Sequence, residues 1–347
     1  MIIVLIPWLG CKQKNEKEAT INPPRVEVSS DQLRQWSGEQ DTRFGSAVLA
    51  NNDSLWISAP EDCNTTLYTV DNQTLAPVLG FQQCSLQEGH DLIQGPDTLW
   101  VYTPLPIPTW VDQNANRIAA RRIAWNGEQF FWSEDRSIQN TQQRWELDHS
   151  LQDMTTYDQS IVALLNDTPQ QLWVLETNEP VTIPLSNKPE FSTIHGLRYE
   201  DKHLLVLGGG QTLWFGEPDD LQQLVIPEDS TLGADLPYHP HVSIGYSSVL
   251  TDIDGDNQLD WFIGAPTAGA GFTNDFFEHA GWVGWFEQTN GEWMLEREWV
   301  GQEAFAHFGW QVAVIDTDQR HTVVVGTPGA NRVLEILAFE PISTVSP

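Results

Sequence analysis

The chain has 347 residues, enough for one large all-β domain or two ordinary ones. Hydrophobic residues make up 40% and charged residues 19%, a balance that fits a folded chain and excludes disorder along most of its length. Seventeen Lys and Arg stand against 48 Asp and Glu, a formal charge of −31 that repels phosphate backbones and anionic headgroups and excludes electrostatic docking on nucleic acid or lipid.

The first residues, MIIVLIPWLGCKQK, run apolar and then turn polar. The apolar run is shorter than the roughly 20 residues a membrane-spanning helix needs, and 1–11 has the form of an export-signal core. WLGC resembles a bacterial lipobox, with Trp8 where that motif favours Leu, and the resemblance implies acylation at Cys11. Residues 12–25 read as a solvated tether ending in a Pro-Pro stop. A single β domain is expected over 26–341, with a short tail at 342–347. An N-terminal strand is expected at about 26–37, because DQLRQWSGEQDTRFGSA there resembles WMLEREWVGQEAFAHFGWQVA near the other end of the chain. With no earlier unit of its own to join, it would complete the last one and cover an exposed edge.

RFGSAVLANNDSLWISAPE (43–61) is the first of three matching segments: a Gly beside a bulky residue, an alternating strand, a polar turn, a second apolar strand, then a Pro stop. Cys63 and Cys84 follow; in an exported protein thiols pair, so a disulfide between them is expected. Weaker copies lie at 89–104, 155–177 and 192–210, which makes six candidates with the two strong ones below, and 116–148 leaves room for a diverged seventh. His239 and His241 in YHPHV share one side of an extended segment, but a pair without a third ligand reads as a loop.

The second strong copy, SIGYSSVLTDIDGDNQLDWFIGAPT (243–267), carries Asp252, Asp254, Asp256 and Asp260 within nine residues. Like charges that close repel unless a cation sits among them, and Ca²⁺ accepts six to eight oxygens in irregular geometry. Positions 1, 3, 5 and 9 supply the four carboxylates and position 7 the backbone carbonyl of Gln258, while Gly255 and Asn257 tolerate the backbone angles of a tight curl. The alternative is a solvated acidic turn. An EF-hand is excluded, since position 12 is Ile263 and strands flank the loop.

TAGAGFTNDFFEHAG (267–281) follows as an insertion whose Phe272, Asp275, Phe276 and Phe277 suit either a partner surface or packing against a neighbouring unit. The third strong copy, HFGWQVAVIDTDQRHTVVVGTPG (307–329), keeps Asp316 and Asp318 but has Arg320 and Val324 where later ligands would stand, so one calcium is expected. Sixteen Trp fall largely in strand patterns, at Trp56, Trp100, Trp173, Trp214 and Trp261, where packing accounts for them; an exposed Trp could also stack on a sugar.

Phe44-Gly45, Ala59-Pro60, Gly264-Ala265-Pro266, Phe308-Gly309 and Gly326-Thr327-Pro328 resemble the FG-GAP repeats of integrin α-subunits and many bacterial exported proteins. The resemblance implies an all-β, six- or seven-bladed β-propeller of four-stranded antiparallel blades, closed by the N-terminal strand. It also implies an integrin-type calcium loop with ligands at Asp252, Asp254, Asp256, Gln258 and Asp260. The function expected is a calcium-binding, extracytoplasmic binding or scaffold module of adhesion type, either free-standing or a subunit of a larger envelope complex, without catalysis. Its location would be the outer membrane or cell surface through a lipid at Cys11, or the periplasm, with a protein or glycan ligand. The alternative is a propeller enzyme acting on polysaccharide at its central channel, although no GxSxG, HExxH, P-loop or dinucleotide fingerprint is present.

Overall fold

The computed structural model describes residues 25–51, 54–59, 191–199, 202–209, 212–217, 220–227, 230–231, 244–269, 278–317 and 320–341, and between 67 and 184 the strands named below. Cys11, Cys63, Cys84, His239, His241, Phe272, Asp275, Phe276 and Phe277 lie outside these residues. Among the described residues there is no α-helix, only 3₁₀ turns at Ser30–Gln32 and Pro328–Ala330.

Two short strands open the chain, β1 (Arg25–Glu27) and β2 (Gln35–Ser37). The first sheet follows as β3 (Val48–Asn51), β4 (Ser54–Ser58), β5 (Leu67–Asp71) and β6 (Thr74–Leu79). The second is β7 (Asp91–Gln94), β8 (Thr98–Thr103), β9 (Ala119–Trp125) and β10 (Phe130–Trp132). The third is β11 (Leu151–Tyr157), β12 (Ser160–Leu165), β13 (Gln171–Val174) and β14 (Val181–Pro184). The fourth is β15 (Thr193–Tyr199), β16 (Lys202–Gly209), β17 (Thr212–Glu217) and β18 (Asp220–Leu224). The fifth is β19 (Ser247–Thr251), β20 (Asp260–Ala265), β21 (Trp282–Thr289) and β22 (Glu292–Val300). The sixth is β23 (Gln311–Asp316), β24 (His321–Thr327) and β25 (Arg332–Pro341), completed by β1 and β2. Each of the first five sheets is an antiparallel meander in chain order, and in the sixth β23, β24 and β25 run so before β1 and β2 add to β25.

Three expectations are corrected in detail. Ala119–Trp125 and Phe130–Trp132, inside the segment that left room for a further unit, are the outer strands β9 and β10 of the second sheet. In the third sheet the first hairpin is β11 with β12, so the copy read at 155–177 begins inside its first strand. The N-terminal strand is two strands separated by the 3₁₀ turn, and both pair with β25, which at ten residues is long enough to carry β2 at Arg332–Leu334 and β1 at Phe339–Pro341.

Side chains alternate between the two faces of a strand, so a strand covered on both sides must be apolar throughout. β20 is buried at all six positions: Trp261 and Ile263 enter a core shared with Leu197, Val206 and Leu213 of the fourth sheet, while Phe262 enters a core shared with Val312, Val323 and Val325 of the sixth. β24 repeats the pattern, sending Val323 and Val325 to the fifth sheet and Val324 to the core around Phe44, Leu55 and Ile57 of the first. The hydrophobic layers thus lie between successive sheets. The first strands are neighbours in the order β11, β15, β19, β23, β3, β7, so the sixth sheet lies against the first.

Glycine sets the spacing of these layers. A β-carbon on Gly264 in β20 would overlap the carbonyl of Gly309, just before β23 of the next sheet, and the Ser247 hydroxyl donates to that same carbonyl at 3.0 Å. Gly309 has φ +85°, which aims its carbonyl back at the preceding sheet. The joint recurs between fourth and fifth sheets, where Gly208 abuts Ile244 and Thr193 donates to the Gly245 carbonyl at 3.1 Å, and between sixth and first, where Gly326 abuts Gly45.

The N-terminal segment is clamped by charge. Glu335, 5% exposed, accepts hydrogen bonds from Arg34 (Nε, 2.5 Å) and Arg320 (NH2, 2.9 Å), and Arg297 of the fifth sheet reaches Glu27 through both guanidinium nitrogens at 2.7 and 3.1 Å. Because the Gly264 joint meets backbone that cannot swing aside, Gly264→Ala is expected to lower stability by about 3 kcal/mol. Gly291→Ala, where a β-carbon meets nothing within 4 Å, should carry only the backbone cost of about 1 kcal/mol. Denaturant midpoints of the two variants check the difference.

Candidate functional site

The β19–β20 hairpin closes on the pair Thr251 and Asp260, leaving an eight-residue loop from 252 to 259. Local hydrogen bonds curl it. Asp252 accepts from the Gly255 N–H at 2.8 Å and the Asn257 N–H at 3.2 Å, and Asp254 accepts from the Asp256 N–H at 3.1 Å. Gly255 (φ +82°) and Asn257 (φ +68°) take the left-handed angles expected of them. Ile253 anchors the loop from within; it is fully buried between fifth and sixth sheets against Phe262, Val283 and Trp285.

Oxygens of Asp252, Asp254 and Asp260 come within 4.8 Å of one another. Asp256 is not in this trio: its carboxylate accepts the Gln258 N–H and side-chain amide, both at 2.7 Å. Gln258 is placed in the same curl. Asp260, 1% exposed, accepts the Ile253 N–H at 2.7 Å and the Trp285 indole N–H at 2.6 Å. Trp285 sits on β21, where its own register partner is Phe262, so this donor reaches Asp260 diagonally across the sheet; nothing in the sequence spacing announced it.

Burial pushes the Asp260 carboxyl up to about 7, against the opposing pull of its two N–H donors, and the charges of Asp254 and Asp256 push the same way. Asp254 is also raised, first by burial, with Asp256 and Asp252 adding to it. Glu287, the cross-strand partner of Asp260, is raised by burial and by the charges of Asp256, Glu296 and Asp254. The site concentrates acidic groups around one buried carboxyl, Asp260, with Asp252 and Asp254 half-buried and Asp256 exposed.

Its donor set is all oxygen, which suits a hard cation. Ligands on opposite sides of a Ca²⁺ ion lie about 4.6–5.2 Å apart, twice the usual Ca–O distance, and oxygens within 4.8 Å of one another are close enough to share one ion. The residues fit such an ion, with Asp252, Asp254 and Asp260 nearest to hold it. The corresponding hairpin of the sixth sheet has lost the loop. Thr317 and Arg320 exchange backbone hydrogen bonds in a tight turn, and Arg320 is drawn away to Glu335.

No family model and no curated protein matches the chain. Among solved structures it is similar to a computationally designed protein, Ika8, at 13% identity and a TM-score of 0.41, covering 86% of this chain and 98% of that one. It is also similar to YCF48 bound to D1 peptide, at 9% identity and 0.46, covering 94% and 100%. A third is SapL1 lectin in complex with alpha methyl fucoside, at 10% identity and 0.46, covering 83% and 89%.

Two outcomes are expected of the hairpin itself. Trp285→Phe leaves a buried carboxylate oxygen without its donor and should cost about 1–3 kcal/mol. In metal-free buffer the folded protein holds a proton on Asp260 that the unfolded chain releases, so this group's contribution to stability falls as pH rises from about 4 to about 7. Asp260→Asn should flatten that slope relative to the unsubstituted protein, as read by melting temperature against pH with chelator present. It should be less stable than the unsubstituted protein at low pH, because its amide must turn an N–H toward one of two existing donors, and the difference should narrow as pH rises.

Proposed function

We propose that this chain is a six-bladed β-propeller of FG-GAP type that binds one calcium ion in the 252–260 hairpin. It serves as an extracytoplasmic binding or scaffold module. The observation that carries the reading is the convergence of Asp252, Asp254 and Asp260, one of them almost wholly buried, in the sole eight-residue hairpin among the three strong repeats. Six meandering sheets, the recurrent glycine joint and the fit of β1 and β2 into the last sheet support a closed ring with the N-terminal strands as its seal. Asp256 and the Gln258 carbonyl belong to the proposed ligand set as groups that join once the ion draws the loop in.

The ion's role is structural. Without it, burial and mutual repulsion oppose three ionised carboxylates; with it, the hairpin becomes a rigid corner of the fifth blade. A module of this kind works outside the cytoplasm, where millimolar calcium saturates weak sites. Export with a lipid at Cys11 and a Cys63–Cys84 disulfide belong to the same reading.

With a dissociation constant of roughly 10⁻⁴–10⁻³ M, calcium at about 10 mM should stabilise the protein by about 1.4–2.7 kcal/mol. Chelation should therefore lower the melting temperature, and Asp252→Ala should abolish the calcium response. A melt that is the same with calcium and with chelator would overturn the proposal.

A further inference from the structure

A second cluster lies at the opposite end of the same strands. The acidic hairpin follows β19, whereas Tyr246 and Trp310 immediately precede β19 and β23, directly after the joint glycines Gly245 and Gly309. Their rings meet at 4.7 Å. From Trp310 the contacts continue to His307 at 5.5 Å, from His307 to His279 at 5.5 Å, and from His279 to Phe305 at 5.6 Å. Arg43, from the loop before β3, lies over the Trp310 ring at 5.3 Å. The backbone fixes this arrangement: the Phe305, His307 and Phe308 N–H groups donate to the carbonyls of Glu278, His279 and Ala280 at 2.7, 3.0 and 2.9 Å, a parallel pairing that holds His279 beside His307.

These side chains are not what the scaffold needs. The segment before the first sheet has the same backbone, with positive φ at Asp41 and Arg43 where the later copy has it at Phe305 and His307. There the position of Phe305 is an exposed aspartate, and that of Trp310 is the fully buried Ser46. The joint therefore forms without aromatic residues at the positions of Phe305 and Trp310. The rings are also poorly buried for their size: Phe305 is 52% exposed, the His279 side chain 34%, and Tyr246, His307 and Trp310 are half-buried.

The rings follow one another at roughly pyranose spacing and meet edge to face or tilted, at 52° to 77° between planes, so each partly exposed ring offers its own apolar face or edge, with the Arg43 guanidinium beside Trp310. Sugars suit such rings, with C–H faces that lie on aromatic rings and hydroxyls that seek donors and acceptors. Nucleic-acid bases stack on such platforms too, but their phosphates would meet a chain of charge −31. The same field opposes acidic glycans.

We infer that Tyr246, Trp310, His307, His279 and Phe305, with Arg43, form a binding site for a neutral oligosaccharide. The site rests on the propeller reading only for its position at the channel mouth away from the calcium. It names the glycan as the ligand of that module.

The test is calorimetric titration of the calcium-loaded protein with cellohexaose, mannohexaose and maltohexaose, and with an oligothymidylate of similar length. Saturable binding of at least one hexaose is expected, weakened about tenfold or more by Trp310→Ala, the loss of one stacked ring. Phe305→Ser, at the most exposed ring, gives a second variant that leaves the core intact, and it should weaken the same binding. Both variants should keep the calcium-dependent melting shift, so failure of the glycan site and failure of the metal site are distinguishable. No binding of any hexaose, unchanged affinity in both variants, or binding of the oligothymidylate alone would overturn the inference.

Discussion

The close approach of a glycine in one sheet to a backbone carbonyl of the next is the constraint on which the rest depends. Where Gly264 meets Gly309, Gly208 meets Ile244 and Gly326 meets Gly45, a side chain larger than hydrogen would wedge the sheets apart. With the wedge absent, the second strands β16, β20 and β24 are covered on both faces, and each becomes the wall between two cores. The last of these joints links the sixth sheet to the first, so one contact serves both for stacking and for bringing the chain ends together.

The joint also separates the ends of the first strands chemically. Residues that precede β19 and β23 are fixed by the joint itself, and there the chain spends aromatic and basic groups. Residues that follow β19 are freed from it, and there the chain inserts an eight-residue loop of carboxylates pinned by Ile253 and Trp285. Burial raises Asp260 and Asp254, and the joint-side histidine His307 is lowered, first by burial and then by His279, with Arg43 adding to it. Both ends hold groups whose charge is disfavoured where they stand.

Much of the fold was legible because its constraint is local. A Gly beside a bulky residue, an alternating strand and a Gly-Ala-Pro stop write one joint and one hairpin into about 25 residues, and all three strong copies fold as hairpins at those places. The third sheet was misregistered because LQDMTTY in β11 carries too few apolar residues to stand out as a first strand. The acidic loop was legible as a curl, with Gly255 and Asn257 in left-handed angles, but the distribution of its carboxylates was not. Asp256 turns to Gln258, while Asp260 is claimed by an indole 25 residues away. The clamp of Arg34 on Glu335, 301 residues apart, and the run of rings from Tyr246 to Phe305 were equally hidden, since the pairing of the N-terminal strands with β25 and the packing of the fifth sheet on the sixth bring them together.

The most direct measurement is terbium luminescence excited through tryptophan, because Trp285 donates its indole N–H to a carboxylate of the trio at 2.6 Å. Sensitised emission that saturates at one ion per chain, is displaced by calcium and is lost in Trp285→Phe is the result expected of a hairpin that holds a single hard cation. Absence of sensitised emission, or emission that calcium does not displace, would contradict it.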